Sequence, residues 1–265
     1  LYHWLGHNDQ ALAYFGRALD LARTPTRRED LKDIAPPNKR GEAWALGNIG
    51  LVHASRADFP QAFEYMSQAL ELASLVEEHF LECLLHTDLA HYLLLVGAFE
   101  EALTHAEQAV AMAQNMGHAE SIARALLCLA MVKGDFNQQA EALKLASQAM
   151  DNARSVGSQE VSGFAHKTTG LLLRQHLCAL EEALGHFRIA CQLFRLCRNF
   201  KQEAAATICY GATLVALEEP QKAARTVERA LVFLRQAEAR YHVAEGLAVL
   251  AQQPAHCLAD PARSH

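Results

Sequence analysis

The chain has 265 residues, of which 51% are hydrophobic and 20% are charged, and its formal net charge is -6. This acidic balance excludes a nucleic-acid-binding role, because phosphate contacts require a dense basic surface. No uninterrupted apolar stretch reaches the length of about eighteen residues that a membrane helix needs, so no membrane partner is expected. Ala, Leu, Gln, Glu and Arg dominate the composition, which predicts an all-α protein.

The first predicted unit covers residues 1–23 and ends with a helix from about residue 8. The chain begins at Leu1 without an initiating Met, and its first residues have the pattern of the last turns of a helix. We therefore expect it to be a fragment of a larger protein. Residues 24–40 contain three prolines and are predicted to form a loop insertion.

A short pattern then recurs along the chain: Ala, three residues, an apolar residue or Ala, two residues, and Ala again. From Ala62 onward its starting positions lie 40, 40, 41 and 40 residues apart. Such an i, i+4, i+7 set lies on one face of a helix, where the alanines allow a neighbouring helix to approach closely. The instances are Ala11/Phe15/Ala18, Ala62/Met66/Ala69, Ala102/Ala106/Ala109, Ala142/Ala146/Ala149, Ala183/Phe187/Ala190 and Ala223/Val227/Ala230.

Another helix is predicted about twenty residues before each of these sets, so that each unit is a helix pair. Gly97-Ala98-Phe99 and Gly134-Asp135-Phe136 are interpreted as equivalent turns between paired helices, with small or polar residues before an aromatic. We predict one superhelical domain over 1–265. Its later units cover about 41–75, 79–115, 118–155, 158–197 and 200–237, and a final helix covers 240–251.

The helix pairs resemble the tetratricopeptide repeat, a unit of about 34 residues. The resemblance is carried by Ile49-Gly50…Ala62…Ala69, Leu89-Ala90…Ala102…Ala109 and Tyr210-Gly211…Ala223…Ala230. The longer period of this chain is similar to a variant with an extra helical turn per unit. The resemblance implies a right-handed α-solenoid of about six repeats and a terminal helix, whose concave face is lined by the first helix of each pair.

Asn48 is the most informative single residue of the predicted groove. In peptide-binding relatives an Asn just before the Leu-Gly pair points into the groove, where its amide can donate to and accept from a peptide backbone. Asp88, about Thr168 and Cys209 stand at the equivalent positions, so the asparagine is not repeated. Residues that share this helix face in the first two complete units are the predicted peptide- or partner-binding residues. They are Trp44, Asn48, Leu51, Ser55, Asp88, His91 and Leu95.

An alternative role for the large apolar members of this set is purely structural. Trp44 and Leu51 would then fill the joint between units without contacting a ligand.

Motifs for chemistry are missing from the sequence. The 14 histidines and seven cysteines include no His-Glu-x-x-His and no Cys-x-x-Cys, so no metal is predicted. We find no Gly-x-Ser-x-Gly and no glycine-rich phosphate loop. The sequence therefore predicts no catalytic residue and no cofactor. The cysteines are expected to be reduced in a cytoplasmic protein.

The predicted function is that of a non-enzymatic module that binds a protein or peptide partner. The resemblance also implies the sensor or scaffold region of a larger, bacterial regulator. The alternative is a small-molecule-sensing repeat domain that changes curvature when its ligand binds. Self-association through open repeat ends is a further possibility, because Tyr2, Trp4 and Leu5 would be exposed at the front of the array.

Overall fold

The computed structural model of the protein describes residues 8–27, 34–35, 37–176 and 179–252, and twelve helices account for most of them. Tyr2, Trp4 and Leu5 lie outside the described residues. The helices are α1 (Asn8–Arg23), α2 (Lys39–Ser55), α3 (Phe59–Leu75), α4 (His79–Leu95), α5 (Phe99–Met116), α6 (Ala119–Asp135), α7 (Gln139–Ser155), α8 (Gln159–His176), α9 (Leu180–Leu196), α10 (Phe200–Ala216), α11 (Pro220–Gln236) and α12 (Arg240–Ala251).

The predicted insertion contains a small element of sheet. Strands β1 (Thr26–Arg27) and β2 (Ile34–Ala35) pair antiparallel, with Thr26 opposite Ala35. Helix α2 begins soon afterwards at Lys39, where the side chain of Asn38 accepts a hydrogen bond from Gly41 N at 2.9 Å. This bond satisfies one of the free amides of the first turn.

The helices from α2 to α8 and from α9 to α12 are joined by tight turns in which one residue adopts the left-handed conformation. Gly97 holds this position after α4 with φ 83°, and Asn137 holds it after α6 with φ 58°. The predicted equivalence of Gly134-Asp135-Phe136 with Gly97-Ala98-Phe99 is therefore wrong, because Gly134 and Asp135 still belong to α6. Asn tolerates the left-handed region well enough to replace glycine there, so a glycine did not mark the turn.

The recurring alanine sets lie at the helix joints, as their spacing predicted. From Ala62 onward every first and last alanine of a set is buried. The set in α1 differs, since Ala11 is buried but Ala18 is exposed. The helix that the repeat pattern places before α1 lies outside the described residues.

Within each pair the two helices meet at a position where side-chain sizes are matched. Glycine occurs in the first helix where the facing residue of the second helix is large, and alanine occurs where it is alanine. A Cβ added to Gly211 would lie only 2.4 Å from Val227 Cγ2. Because total volume at a packed contact must stay near constant, each pair divides the space differently. The contacts at glycine are Gly50 with Met66, Gly170 with Phe187 and Gly211 with Val227. The equivalent positions of the two units between Gly50 and Gly170 are Ala90 with Ala106 and Ala130 with Ala146.

The first helices form the inner layer of the array. Each of α2, α4, α6, α8 and α10 contacts the first helix of the next pair, whereas the described second helices pack on first helices alone. Elements on the inner side of a curved stack converge, so the concave face belongs to the first helices. These features confirm the predicted all-α tandem-repeat solenoid. Among the described helices, none combines the length and apolar character needed to cross a membrane.

The first and last described units meet directly, at a contact that we call the seam. The Asn8 amide donates to the carbonyl oxygen of Ala237 at 3.2 Å. Arg56, in the turn after α2, forms ion pairs with both Asp9 and Glu238. The array therefore completes one turn and encloses its interior.

Candidate functional site

The candidate site is the concave interior, which is lined by one stripe of residues on each first helix. On α2, Trp44, Asn48 and Leu51 are half-buried, while most of the helix around them is buried. On α4 the same stripe, one period later, carries Asp88 and His91. Spacings of three and four residues place these side chains on one helix face. Of the residues predicted on this face, Ser55 is buried and the others are half-buried.

The residues predicted on α2 differ in how free their polar groups are. Trp44 packs near Phe80, with ring centroids 6.3 Å apart, so it belongs partly to the joint between units. One amide hydrogen of Asn48 is used locally, because Nδ2 donates to Trp44 O at 2.7 Å. Ser55 is buried, and its hydroxyl donates to Val52 O at 2.8 Å. Asn48 thus keeps its amide oxygen available, whereas Ser55 is engaged within its own helix.

Asp88 is the most unusual residue of the α4 stripe. Burial raises the pKa of its carboxyl to about 7, although the positive charge of Arg124 opposes the shift. Its side chain makes no hydrogen bond to another described residue. A carboxylate in such surroundings is costly unless something pairs with it. Asp88 is therefore a group that a ligand could neutralise. Leu95, the last predicted residue, is half-buried at the end of the same helix.

His91 shows that distant helices face one another across the interior. Burial lowers the pKa of its imidazole to about 4, and the positive charges of Lys167 and His242 lower it further, while Glu245 opposes them. These three residues come from α8 and α12. A charge shifts the pKa of another group in this way only when little water lies between the two. His91 of α4 is therefore close enough to α8 and α12 to be influenced by their charges.

A basic cluster on α8 and α10 was missed by the sequence reasoning. Lys167 Nζ donates to Gln202 Oε1 at 2.8 Å and lies 5.3 Å from the centroid of the Phe164 ring. Burial and the neighbouring charge of Lys167 lower the pKa of Lys201 to about 8. Arg174 Nε is buried and has no hydrogen-bond partner among the described residues. The forty-residue period gave no signal for Lys167, because Gly47, Thr87 and Leu127 occupy its equivalent positions in the earlier units.

At the end of the array, α12 contributes an ion pair to the same space. His242 Nδ1 lies 2.8 Å from Glu245 Oε2. The hydrogen bond from His242 helps to hold the pKa of Glu245 below its usual value, although burial opposes this. The interior therefore combines an apolar and acidic side on α2 and α4 with a mixed, mainly basic side on α8, α10 and α12.

Two pairs of contacting histidines, which the sequence analysis did not predict, lie between the helices of two units, α4–α5 and α8–α9. Nδ1 of His86 is 2.8 Å from Nδ1 of His105, and Nδ1 of His166 is 3.0 Å from Nδ1 of His186. Each contact needs one ring to donate and the other to accept, so at least one ring of each pair is neutral. The spacings of 80 and 81 residues between the pairs were the available signal. The unit between them carries leucines at these positions, Leu126 and Leu145.

Metal-ligating side chains do not cluster among the described residues. No group of three or more His, Cys, Asp or Glu side chains there could hold a metal ion. The described cysteines, Cys83, Cys128, Cys191, Cys197 and Cys209, are free thiols.

Residues 41–115 match the family model described as tetratricopeptide repeat, and these residues form the helix pairs α2–α3 and α4–α5. The same pair, with the same buried alanines, recurs through the rest of the array. Residues 41–115 are therefore tetratricopeptide repeats, and the rest of the array continues the same fold. No curated protein matches its sequence.

Solved structures resemble this repeat protein over most of its length. A Rap protein complexed with Competence and Sporulation Factor is 16% identical, with a TM-score of 0.69, and the match covers 97% of this chain and 82% of that one. NprR in complex with its cognate peptide NprX is 14% identical, with a TM-score of 0.67 and coverages of 92% and 72%. BtubC (BKLC) from P. vanneervenii is 19% identical, with a TM-score of 0.56 and coverages of 85% and 90%. At these identities the similarity establishes the fold.

Proposed function

We propose that this repeat array is a module that binds a protein or peptide, and that an extended segment of the partner occupies the concave interior. The observation that carries the proposal is the accessible stripe of α2 and α4, where Trp44 and Leu51 provide an apolar wall beside Asn48 and Asp88. Extended peptides are held in this way, by pockets for side chains and by polar groups that pair with the backbone. The free oxygen of Asn48 can accept from a peptide N–H.

Asp88 supports a ligand in this space. Its carboxyl is surrounded by protein, and among the described residues Arg124 is the charge that favours its ionisation. Perturbed groups of this kind concentrate at functional sites, because they gain most from a partner. An amide, amine or guanidinium group of a ligand would pair with the carboxylate and lower its pKa.

The finer role that we propose is the sensor or scaffold region of a larger regulatory protein. Two of the proteins that share this fold, the Rap protein and NprR, were solved with a bound factor or peptide. A module that encloses its ligand can transmit binding through a change in curvature, because every joint between repeats contributes a small rotation.

The test is selection of a randomised peptide library on the immobilised chain, followed by calorimetry with the enriched peptides. Asn48→Ala and Asp88→Asn should each weaken binding by about tenfold, the effect of losing one buried polar contact. The matched control is Gln108→Ala, an exposed residue of α5 on the outer layer, which should leave affinity unchanged. Failure to enrich any peptide, or an equal loss in the control, would contradict the proposal.

Enclosure of the interior favours a second candidate, a receptor for a small molecule. Concave sites that surround their ligand suit compact molecules with a few polar groups. Thermal shift with a metabolite panel separates the two functions. Saturable stabilisation by metabolites alone would replace the peptide proposal, whereas stabilisation by peptides alone would remove the second candidate.

A further inference from the structure

The seam joins parts of the chain that are far apart in sequence. Asn8 is buried and donates to the carbonyl of Ala237. Arg56 Nε and Nη2 contact Glu238 Oε2 at 3.0 and 2.7 Å, and Nη2 also contacts Asp9. Three short segments therefore meet: the start of α1, the turn after α2 and the turn before α12. Among the described residues, this contact closes the ring of repeats.

The seam is built differently from the joints between repeats. Each joint buries alanines and larger apolar residues in a continuous core. No apolar cluster of the described residues includes members from both α1 and the α11–α12 region. Among the described residues, the polar contacts of the seam include the hydrogen bond of the Asn8 amide and the ion pairs of Arg56. The carboxylates are open to solvent, since the side chain of Asp9 is 80% exposed and that of Glu238 is 41% exposed, whereas that of Arg56 is 19% exposed.

Such a contact is easily opened. Exposed ion pairs are weak and are screened by salt, whereas apolar joints are not. Opening the seam requires no joint to separate, because small rotations at several joints add up to a large displacement at the ends. The least stable contacts of a protein are the ones through which it opens locally.

We propose that the seam is a gate to the concave interior, held closed by Arg56 and opened when a ligand enters or leaves. This inference rests on the proposed function only in assuming that the interior receives a ligand. The charge of Arg56 controls how often the ring is open, and therefore how readily a molecule too wide for the closed interior reaches its wall.

The first measurement follows the width of the seam directly. Spin labels are attached through unnatural amino acids at Ala13 and Gln236, both exposed and on opposite sides of the seam. Double electron–electron resonance should give one short distance between the two labels in the wild type. Arg56→Gln and molar salt should both lengthen it, whereas Arg56→Lys should have an intermediate effect. The matched control is Arg195→Gln, which removes a surface ion pair with Glu203 between α9 and α10.

The second measurement follows access to the interior. Cys209 lies on the inner stripe of α10 and is half-buried, and mass spectrometry can locate its modification. Arg56→Gln should raise its rate of reaction with a bulky polymer-linked maleimide by about tenfold, the change in open population expected when a charge-assisted hydrogen bond is lost. Its reaction with N-ethylmaleimide should stay near the wild-type rate.

An unchanged label distance in Arg56→Gln would overturn the gate, as would a longer distance without faster reaction of the bulky probe. Equal acceleration of both probes would also overturn it, since that result indicates general loosening. These outcomes do not depend on which ligand binds. If no peptide is enriched but the seam behaves as described, the peptide proposal fails and the gate remains.

Discussion

Replacing Gly211 by alanine tests whether matched side-chain volumes hold each helix pair together. The added Cβ would lie 2.4 Å from Val227 Cγ2, a separation that packed atoms do not tolerate. Both residues are buried, so α10 and α11 would have to move apart or the valine would have to leave its rotamer. The alanine pairs elsewhere in the chain show that two methyl groups fit where a glycine and a valine now stand.

The size of the effect follows from two opposing contributions. Overpacking in a core costs about 1–3 kcal/mol. Alanine in place of a helical glycine stabilises the helix by about 1 kcal/mol. We therefore expect Gly211→Ala to lower the free energy of unfolding by about 1 kcal/mol. In a Val227→Ala background the obstacle is gone, and the same change should raise it by up to about 1 kcal/mol. The expected coupling energy is about 2 kcal/mol.

The assay is urea unfolding of the four chains of this double-mutant cycle, followed by circular dichroism. The denaturant dependence must stay constant, so that a shift in midpoint reports stability. Gly185→Ala is the matched control, because nothing lies within 4 Å of a Cβ added there. It should show only the helical gain. Additivity of the two single substitutions within about 0.5 kcal/mol would refute the reasoning.

Three further predictions concern pH and the turns. Burial and the charge of His105 lower the pKa of His86 to about 4. The unfolded chain therefore binds more protons, and stability is lost as the pH falls from about 6.5 to about 4. The double variant His86→Leu with His105→Leu should flatten this dependence of the unfolding midpoint on pH, and an unchanged dependence would contradict the prediction. Burial raises the pKa of Asp88 from 3.8 to about 7, so the wild type loses stability as the pH rises through that interval. Asp88→Asn should therefore raise the free energy of unfolding at alkaline pH and leave it unchanged near pH 4. The absence of a stability gain at alkaline pH would count against the prediction. Glu77 adopts the left-handed conformation in a turn, with φ 55°. Because glycine takes this conformation without strain, Glu77→Gly should raise the free energy of unfolding by about 0.5 kcal/mol, measured as a higher urea midpoint. A lower midpoint would show that Glu77 is not strained.

Some residues of the candidate site could be predicted from the local sequence pattern, and others could not. Asp88 and His91 could be placed on the groove stripe from spacing alone, because a helix repeats every 3.6 residues. Lys167 and Glu245 act on His91 only because α8 and α12 face α4 across the interior. Their positions depend on the curvature of the whole array, which no short pattern specifies. The turn at Asn137 was misplaced for a different reason, since more than one residue type can adopt the conformation it needs.

The sequence by itself determined the repeat, because alanines at matched intervals encode contacts between neighbouring helices and hence a stack. Recurrence of the set from Ala62 to Ala230 was sufficient for the fold and for the inner stripe. Only the tertiary structure decided that Arg56 reaches Glu238 and closes the ring. The physical reason is that closure depends on the sum of small rotations at successive joints, and a change of a few degrees at each would leave the same repeats as an open trough.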